Sequence, residues 1–152
     1  VQLAHRGFAQ GIVVAEKISG LDPAPVDDAL VPRVTFCEPE IASVGLTEAR
    51  ARQAHGADAV TTAEFNVAGN AKSQILGTQG FVKLVSLKDG PIVGFHAIGA
   101  RMGEQVGEGQ LIVNWEADAD DVAALVHAHP TQNETLGEAA MALAGKPLHN
   151  HG

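Results

Sequence analysis

Residues 80–100 read GFVKLVSLKDGPIVGFHAIGA and contain the clearest structural signal in the chain. Two segments rich in β-branched and aromatic residues, GFVKLVSLK and IVGFHAIGA, flank the short KDGP turn that begins at Lys88. Such residues favour strands, and a short glycine-containing turn between two strand-like segments is typical of a β-hairpin. The two strands of a hairpin are antiparallel, so this stretch predicts an antiparallel sheet.

Further strands are predicted on the N-terminal side of this hairpin. The segments RVTFC (33–37) and IASVG (41–45) are separated by the turn-like pair Glu38 and Pro39, and residues 59–67 form another strand-like run. Between them, Thr47 is placed to cap a helix that continues to His55, and Gly56 ends it. This half of the chain therefore predicts three strands and one short helix.

Helical patterns dominate the C-terminal side of the hairpin. GEQVGEGQLIVNWEA (103–117) and ADADDVAALV (117–126) begin two helices, and TLGEAAMALA (135–144) forms a third that Gly145 and Pro147 stop. Strands come first and helices follow, without strand–helix–strand alternation. This order predicts an α+β fold, in which helices pack on a mainly antiparallel sheet.

The first thirty residues differ in character from the rest. Apolar residues recur near the helical period from Leu3 to Ile18, which predicts a helix over 3–18 that Gly20 ends. The following LDPAPVDDALVP has the composition of an extended connector, with a domain boundary near residue 28. Because no capping residue precedes the helix, we expect the chain to be a piece of a longer protein.

Bulk composition disfavours several classes of function. The chain has 152 residues, 45% apolar and 18% charged, which predicts one folded domain and not a disordered segment. A net charge of −8 disfavours nucleic acid as a partner, and no apolar run approaches the ~20 residues that cross a bilayer. The single cysteine, Cys37, excludes an intramolecular disulfide and fits a reducing compartment. We therefore expect a cytoplasmic protein without nucleic-acid or membrane partners.

The segment HAHPTQNE (127–134) contains the most informative chemical pattern. Thr131 and Glu134 have the spacing of a helix capping box, which places Glu134 in the first helical turn with its carboxylate facing back toward the N-terminus. His129 lies just before the cap, and the following Pro130 biases it toward an extended conformation. The sequence therefore predicts an imidazole and a carboxylate held close together by a rigid turn.

Such a histidine–glutamate pair is suited to general base catalysis. A carboxylate bonded to one ring nitrogen fixes the tautomer, leaves the other nitrogen as an acceptor and stabilises the charged ring. The spacing is also compatible with a structural role, in which Glu134 only caps the helix and His129 is a surface turn residue. His127, two residues earlier, fits either the lining of the same cleft or a neutral structural role.

Several segments resemble one family of flavoproteins in the same order. HAHPTQNE is similar to the HPTxxE segment of the pyridine nucleotide-disulfide oxidoreductases. Agreement extends to LAH (3–5), PEIASVGLTE (39–48), KSQILG (72–77), GFVKLV (80–85), GARMGE (99–104) and QLIVNWEA (110–117). Together these segments resemble the C-terminal dimerisation domain of such FAD/NAD-linked reductases. PEIASVG favours the members that oxidise dihydrolipoamide over those that reduce glutathione disulfide.

The resemblance implies a division of the chain and a set of cofactors. Residues 1–20 would be the last helix of a truncated flavin domain, 21–30 a linker and 31–152 the dimerisation domain. FAD and NAD would act in the intact parent protein, and neither is expected to bind this chain alone. The residues expected near the cofactor are Leu3, Ala4, His5, His127 and Pro130.

The resemblance also implies catalytic residues and partners. His129 and Glu134 would be the catalytic pair: His129 takes a proton from dihydrolipoamide and Glu134 orients the ring. The disulfide and flavin on which they act would belong to the opposite subunit of a homodimer. In the intact enzyme, the dihydrolipoamide would be carried on the lipoyl domain of a 2-oxo acid dehydrogenase complex.

Three other interpretations stay open. The chain alone would be a catalytically silent homodimerisation module, or its parent would be a relative of glutathione reductase. Metal binding is the third, prompted by His127, His129, His149 and His151. Two histidines two residues apart on an extended chain are a weak ligand signal, so we expect no metal site.

Overall fold

Five strands form one antiparallel sheet in the structure, a computed structural model that describes residues 2–149. They are β1 (Arg33–Thr35), β2 (Glu40–Gly45), β3 (Val60–Asn66), β4 (Phe81–Leu87) and β5 (Ile92–Gly99). Their order across the sheet is β1-β2-β5-β4-β3, and every neighbouring pair is antiparallel. The predicted α+β fold with a mainly antiparallel sheet is confirmed.

The hairpin predicted from residues 80–100 lies near the middle of this sheet. It pairs β4 with β5, with Leu84 opposite Phe95. Both side chains are fully buried in the core. The β-branched and aromatic residues that indicated strands in the sequence thus form the sheet's buried face.

The first predicted strand is shorter than expected. RVTFC was predicted as a strand over 33–37, but β1 ends at Thr35, and Phe36 is exposed. The chain turns at Glu38–Pro39, where the peptide bond is cis, and the Cys37 thiol donates to the Pro39 carbonyl at 3.0 Å. Cys37 therefore belongs to this turn and not to the ladder.

Six α-helices accompany the sheet within the described residues. They are α1 (Ala4–Ile18), α2 (Glu48–His55), α3 (Ala71–Leu76), α4 (Met102–Asn114), α5 (Ala119–Ala123) and α6 (Glu134–Leu143). Thr47 caps α2 as predicted, because its hydroxyl accepts from the Arg50 N–H at 3.3 Å. The six-residue α3 was not predicted; Asn70 caps it by accepting from the Ser73 N–H at 3.0 Å, and Gly77 ends it with φ of 63°.

Helices α4 and α6 pack on the sheet and complete the core. Met102 of α4 and Leu136 of α6 are fully buried together with Phe95. Helix α4 comes unusually close to the sheet at Gly109, where a Cβ would lie 2.6 Å from the Phe95 ring. Only glycine, which has no Cβ, permits this approach, so Gly109 determines how close α4 lies to the sheet.

Helix α1 stands apart from this core. It contains no buried residue, and its apolar Phe8 is 74% exposed. It contacts the segment that leads into the sheet through the His5 imidazole, 2.7 Å from the Pro32 carbonyl, and through the Arg6–Asp28 ion pair. Among residues 2–149, no helix combines the length and apolar character that a membrane crossing requires.

Candidate active site

The turn before α6 brings His129 and Glu134 into direct contact. The Nδ1 atom of His129 lies 2.8 Å from Oε1 of Glu134, and the other carboxylate oxygen accepts from the Thr131 N–H at 2.8 Å. The His129–Pro130 peptide bond is cis. The two side chains expected from the sequence to form a pair are thus hydrogen-bonded in the structure.

The carboxylate of Glu134 is ionised at neutral pH. Partial burial raises its pKa, but the Thr131 N–H and the His129 imidazole outweigh that effect, so the pKa lies below its ordinary value. An ionised carboxylate accepts the proton on Nδ1 and thereby leaves Nε2 as the unprotonated nitrogen of the neutral ring. The His129 side chain is 70% exposed, so this nitrogen is accessible to a substrate.

The capping box predicted from Thr131 and Glu134 forms only in part. The Glu134 carboxylate faces back to the Thr131 N–H as expected, but the Thr131 hydroxyl donates to the Ala128 carbonyl at 2.6 Å. The helix begins at Glu134, with Asn133 as its N-cap in a helical conformation. Thr131 lies two residues before that cap, and its hydroxyl bonds within the turn.

His127 forms a second imidazole–carboxylate pair on the same turn. Its Nε2 atom lies 2.7 Å from Oε1 of Glu108, while Oε2 of Glu108 accepts from the Asn133 amide at 2.6 Å. The His127 side chain is only 12% exposed. The hydrogen bond to Glu108 outweighs the effect of burial and raises the pKa of His127.

The two histidines and Glu134 line a common cleft of about 290 Å³. Its walls include His127, His129 and Glu134, together with Glu138 of α6 and His149. The His149 ring bonds to Glu138 through Nδ1 at 2.6 Å. Among the described residues, no group of three histidine, cysteine or acidic side chains is arranged to hold a metal ion. His151, part of the metal interpretation, lies outside the described residues.

The other residues expected near a cofactor lie elsewhere. Leu3, Ala4 and His5 line a separate groove of about 770 Å³ between the start of α1, the connector and α4. Pro130 is exposed in the turn and lines neither the cleft beside His129 nor the groove beside α1. The structure therefore places His127 beside the catalytic candidates and places the LAH segment apart from them.

Comparison with known proteins identifies the family. Residues 31–140 match the family described as pyridine nucleotide-disulphide oxidoreductase, dimerisation domain. The chain belongs to this family. Its matched segment covers the whole sheet together with α4, α5 and most of α6.

Individual members of the oxidoreductase family support this assignment. A dihydrolipoyl dehydrogenase of Bacillus subtilis strain 168 is 41% identical over 149 residues, which are 97% of this chain and 31% of that protein. The dihydrolipoyl dehydrogenase of Mycobacterium tuberculosis H37Rv is 43% identical over 95% of this chain and 32% of its own length. The chain therefore spans about a third of the length of these relatives.

Solved structures from two organisms share the fold. LpdA from Mycobacterium tuberculosis superposes with a TM-score of 0.86 at 23% identity, over 94% of this chain and 31% of that one. The HOCl-induced flavoprotein disulfide reductase RclA from Escherichia coli gives 0.83 at 20% identity, over 92% and 32%. At such identities the likeness establishes the fold alone.

Several polar residues that hold the turn in this oxidoreductase domain were not predicted from the sequence. The Asn70 amide donates to the Thr131 carbonyl at 3.1 Å, and the Ser73 hydroxyl donates to Oε1 of Gln132 at 2.6 Å. Gln132 in turn donates to the Ala100 carbonyl at 3.0 Å. Ser73 lies in KSQILG and Gln132 in HAHPTQNE. The resemblance of these two segments to the family was therefore the one sequence signal that could have pointed to these residues.

Proposed function

We propose that the chain is the C-terminal part of a dihydrolipoyl dehydrogenase, in which it supplies the general base and the subunit interface. The observation that carries this proposal is the 2.8 Å contact between His129 and Glu134, which leaves the exposed Nε2 atom free. The relatives named dihydrolipoyl dehydrogenase direct the choice of substrate. NAD is the proposed electron acceptor.

His129 would act on a thiol of dihydrolipoamide. A thiol with a pKa near ~8.5 is only a few per cent ionised at neutral pH, and the thiolate is the attacking species. Nε2 of His129 accepts the proton as the thiolate sulfur attacks one sulfur of the enzyme's disulfide, whose bond breaks and releases the other sulfur as a thiolate. The second substrate thiol then gives its proton to the enzyme thiolate released first, and its sulfur attacks the mixed disulfide and displaces the other enzyme sulfur as a thiolate, which yields lipoamide and a reduced enzyme pair.

Glu134 would stabilise the charged form of His129 during this transfer. Its ionised carboxylate holds the Nδ1 proton, so the imidazolium that forms is paired with an anion. Positioned proton transfer of this kind contributes roughly 10²–10⁴ in rate. Bound FAD would supply the redox chemistry that carries the two electrons to NAD.

The start of α1 fits a role beside FAD. The N-cap Leu3 offers no side-chain acceptor to the first helical turn, so backbone N–H groups there are available to an acceptor on a ligand. Leu3, Ala4 and His5 line the larger groove, which offers the space. The exposed apolar surface of α1 supports assigning residues 1–20 to a flavin domain, 21–30 to a linker and 31–152 to the dimerisation domain.

Exposed apolar side chains on the dimerisation domain support a homodimer. Trp115, just after α4, is 76% exposed, and Val126 in the turn before His127 is 98% exposed. Large exposed apolar groups often mark interaction surfaces. A second copy of the chain is the proposed occupant, and a lipoyl domain is the proposed carrier of the substrate. The cytoplasmic location stays a prediction.

A direct activity assay tests the substrate. The full-length flavoprotein that contains this chain is mixed with dihydrolipoamide and NAD, and NADH formation is followed by absorbance. We expect turnover with this pair and little with glutathione disulfide and a reduced nicotinamide cofactor. The opposite preference would assign the parent to the glutathione-reducing members of the family.

Subunit mixing tests whether the site is shared between subunits. One subunit carries His129→Gln, and the other keeps His129 but lacks the redox cysteines of the flavin domain. Each homodimer is inactive, whereas a hybrid dimer restores one of its two sites only if His129 acts on the opposite subunit. Random mixing should then recover about a quarter of wild-type activity, since half of the dimers are hybrids. No recovery would place the pair and the disulfide in the same subunit.

A further inference from the structure

We propose that Glu108 is the positioning residue of the His129–Glu134 pair. Its two carboxylate oxygens bind both ends of the turn that carries the pair, and thereby hold the His129 ring at hydrogen-bond distance from Glu134. The inference rests on the proposed function and adds a residue to it. Glu108 lies in α4, 21 positions before His129 in the chain.

The position of His129 depends on the backbone of the turn. Its side chain is 70% exposed, so core packing does not hold the ring. The carboxylate of Glu134 contacts Nδ1, but that contact forms only when the turn presents His129 to the start of α6. Whatever fixes the two ends of the turn therefore also fixes the pair.

Glu108 contacts both of those ends at once. Its Oε1 atom lies 2.7 Å from Nε2 of His127, two residues before His129. Its Oε2 atom accepts from the Asn133 amide at 2.6 Å, one residue before Glu134. One carboxylate thus bridges His127, which precedes the pair, and Asn133, which lies between its two members in the chain.

Other side-chain anchors bind the middle of the turn. Asn70 contacts the Thr131 carbonyl, and Ser73 contacts the Gln132 side chain. Helix α6 packs closely against His127 at Gly137, where a Cβ would lie 2.6 Å from the imidazole Nδ1. Helix α6 therefore lies directly against the His127 ring that Glu108 binds.

The charge state of Glu108 matches this role. Burial raises its pKa, but the hydrogen bonds from His127 and Asn133 outweigh burial and hold the pKa below its ordinary value. As an anion, Glu108 accepts from both partners, and it does so whether His127 is neutral or protonated. The other ionisable groups that line the cleft with His127 are His129, Glu134, Glu138 and His149.

Replacement of Glu108 in the full-length flavoprotein tests the proposal. Glu108→Ala removes both contacts, and we expect flavin reduction by dihydrolipoamide to slow at least ~10-fold, while flavin reduction by NADH stays within about twofold of wild type. Glu104→Ala, an exposed glutamate one turn earlier on the same helix, is the matched control and should leave both rates unchanged.

Glu108→Gln separates positioning from a general packing role. A glutamine can accept from Asn133 and donate to a neutral His127, so it keeps both contacts only while His127 is unprotonated. We expect its dihydrolipoamide rate to approach wild type at pH 8 and to fall increasingly behind as the pH drops through ~6.5, the ordinary histidine pKa. This variant preserves volume and provides the same test if Glu108→Ala fails to fold.

The outcomes distinguish the inference from the function on which it rests. Three results would each overturn the role of Glu108. Glu108→Ala could slow flavin reduction by dihydrolipoamide and by NADH equally, or it could leave the dihydrolipoamide reaction at the wild-type rate. The third is a Glu108→Gln rate that does not fall behind wild type at low pH. If His129→Gln slows dihydrolipoamide oxidation and Glu108→Ala does not, the proposed function stands and the inference fails. If neither variant slows it, both fail.

Discussion

Two imidazole–carboxylate pairs lie on one short turn and differ mainly in exposure. His129 is 70% exposed beside Glu134, whereas His127 is 12% exposed beside Glu108. In the exposed pair, the carboxylate occupies Nδ1 and Nε2 faces open space. In the buried pair, Nε2 is the bonded atom, and Glu108 also holds Asn133.

The difference shows how burial assigns separate tasks to the same chemical groups. An exposed ring with one bonded nitrogen can take a proton from a bound thiol. A buried ring bonded to a carboxylate that also holds the next helix contributes to structure.

His129→Gln should have the largest effect. Loss of the proposed general base should slow flavin reduction by dihydrolipoamide by roughly 10²–10⁴ at neutral pH, as measured by stopped-flow absorbance of the full-length flavoprotein. His55→Gln, on the exposed end of α2, serves as the control and should be unchanged. Near-normal rates in His129→Gln would remove the exposed pair from catalysis.

Glu134→Gln should produce a smaller loss in the same assay. Glutamine keeps the size of the side chain but removes the charge that stabilises the imidazolium. Hydrogen bonds to charged groups contribute about 1.5–3 kcal/mol, so the rate should fall roughly 10-fold to 100-fold. A loss as large as that of His129→Gln would indicate that Glu134 does more than orient and stabilise the ring.

Gly137→Ala tests the buried pair through stability. A Cβ 2.6 Å from His127 Nδ1 must displace the ring or the helix, so the free energy of unfolding should fall by about 1–3 kcal/mol in urea titrations. Gly107→Ala on α4 has open space around its Cβ and should be neutral or stabilise by up to ~1 kcal/mol. If both variants changed the free energy of unfolding by the same amount, α6 would not restrict the position of the His127 ring.

The pH dependence of stability should also report on the buried pair, with the smallest effect. The pKa of His127 is raised by Glu108, so its contribution is complete below the unfolded value of 6.5 and is lost as the pH rises through the folded pKa. The pKa of Glu108 is lowered, so its contribution is present above 4.5 and is lost as the pH falls through its folded value.

Urea unfolding at pH 6 and pH 8.5 measures this contribution. The wild-type chain should lose more stability between these two pH values than Glu108→Gln, because only the wild type has the carboxylate that raises the His127 pKa. A difference between the two proteins that does not change with pH would contradict the linkage.

Local patterns in the sequence predicted the sheet, the hairpin and the proximity of His129 to Glu134. The hairpin strands are joined by a turn of four residues, and His129 and Glu134 are five positions apart, so turn chemistry and spacing carry the information. Residue types also indicated the helix capped by Thr47. The family segments extended these local inferences to the whole domain.

Contacts between distant parts of the chain could not be predicted in this way. Glu108 is 19 residues from His127, and Asn70 is 61 residues from the Thr131 carbonyl that it contacts. Contacts at these separations follow neither the helical nor the strand period, so a single sequence does not reveal them. The Thr131 hydroxyl was expected to cap α6, but it donates instead to the Ala128 carbonyl inside the turn.

The glycine that lets α4 approach the sheet is the neighbour of Glu108. A methyl group at Gly109 would meet the Phe95 ring, and the helix would have to move outward to admit it. Because the adjacent carboxylate moves with the helix, its distances to His127 and Asn133 would change. We therefore expect a substitution in the hydrophobic core to change the rate of the proposed thiol oxidation.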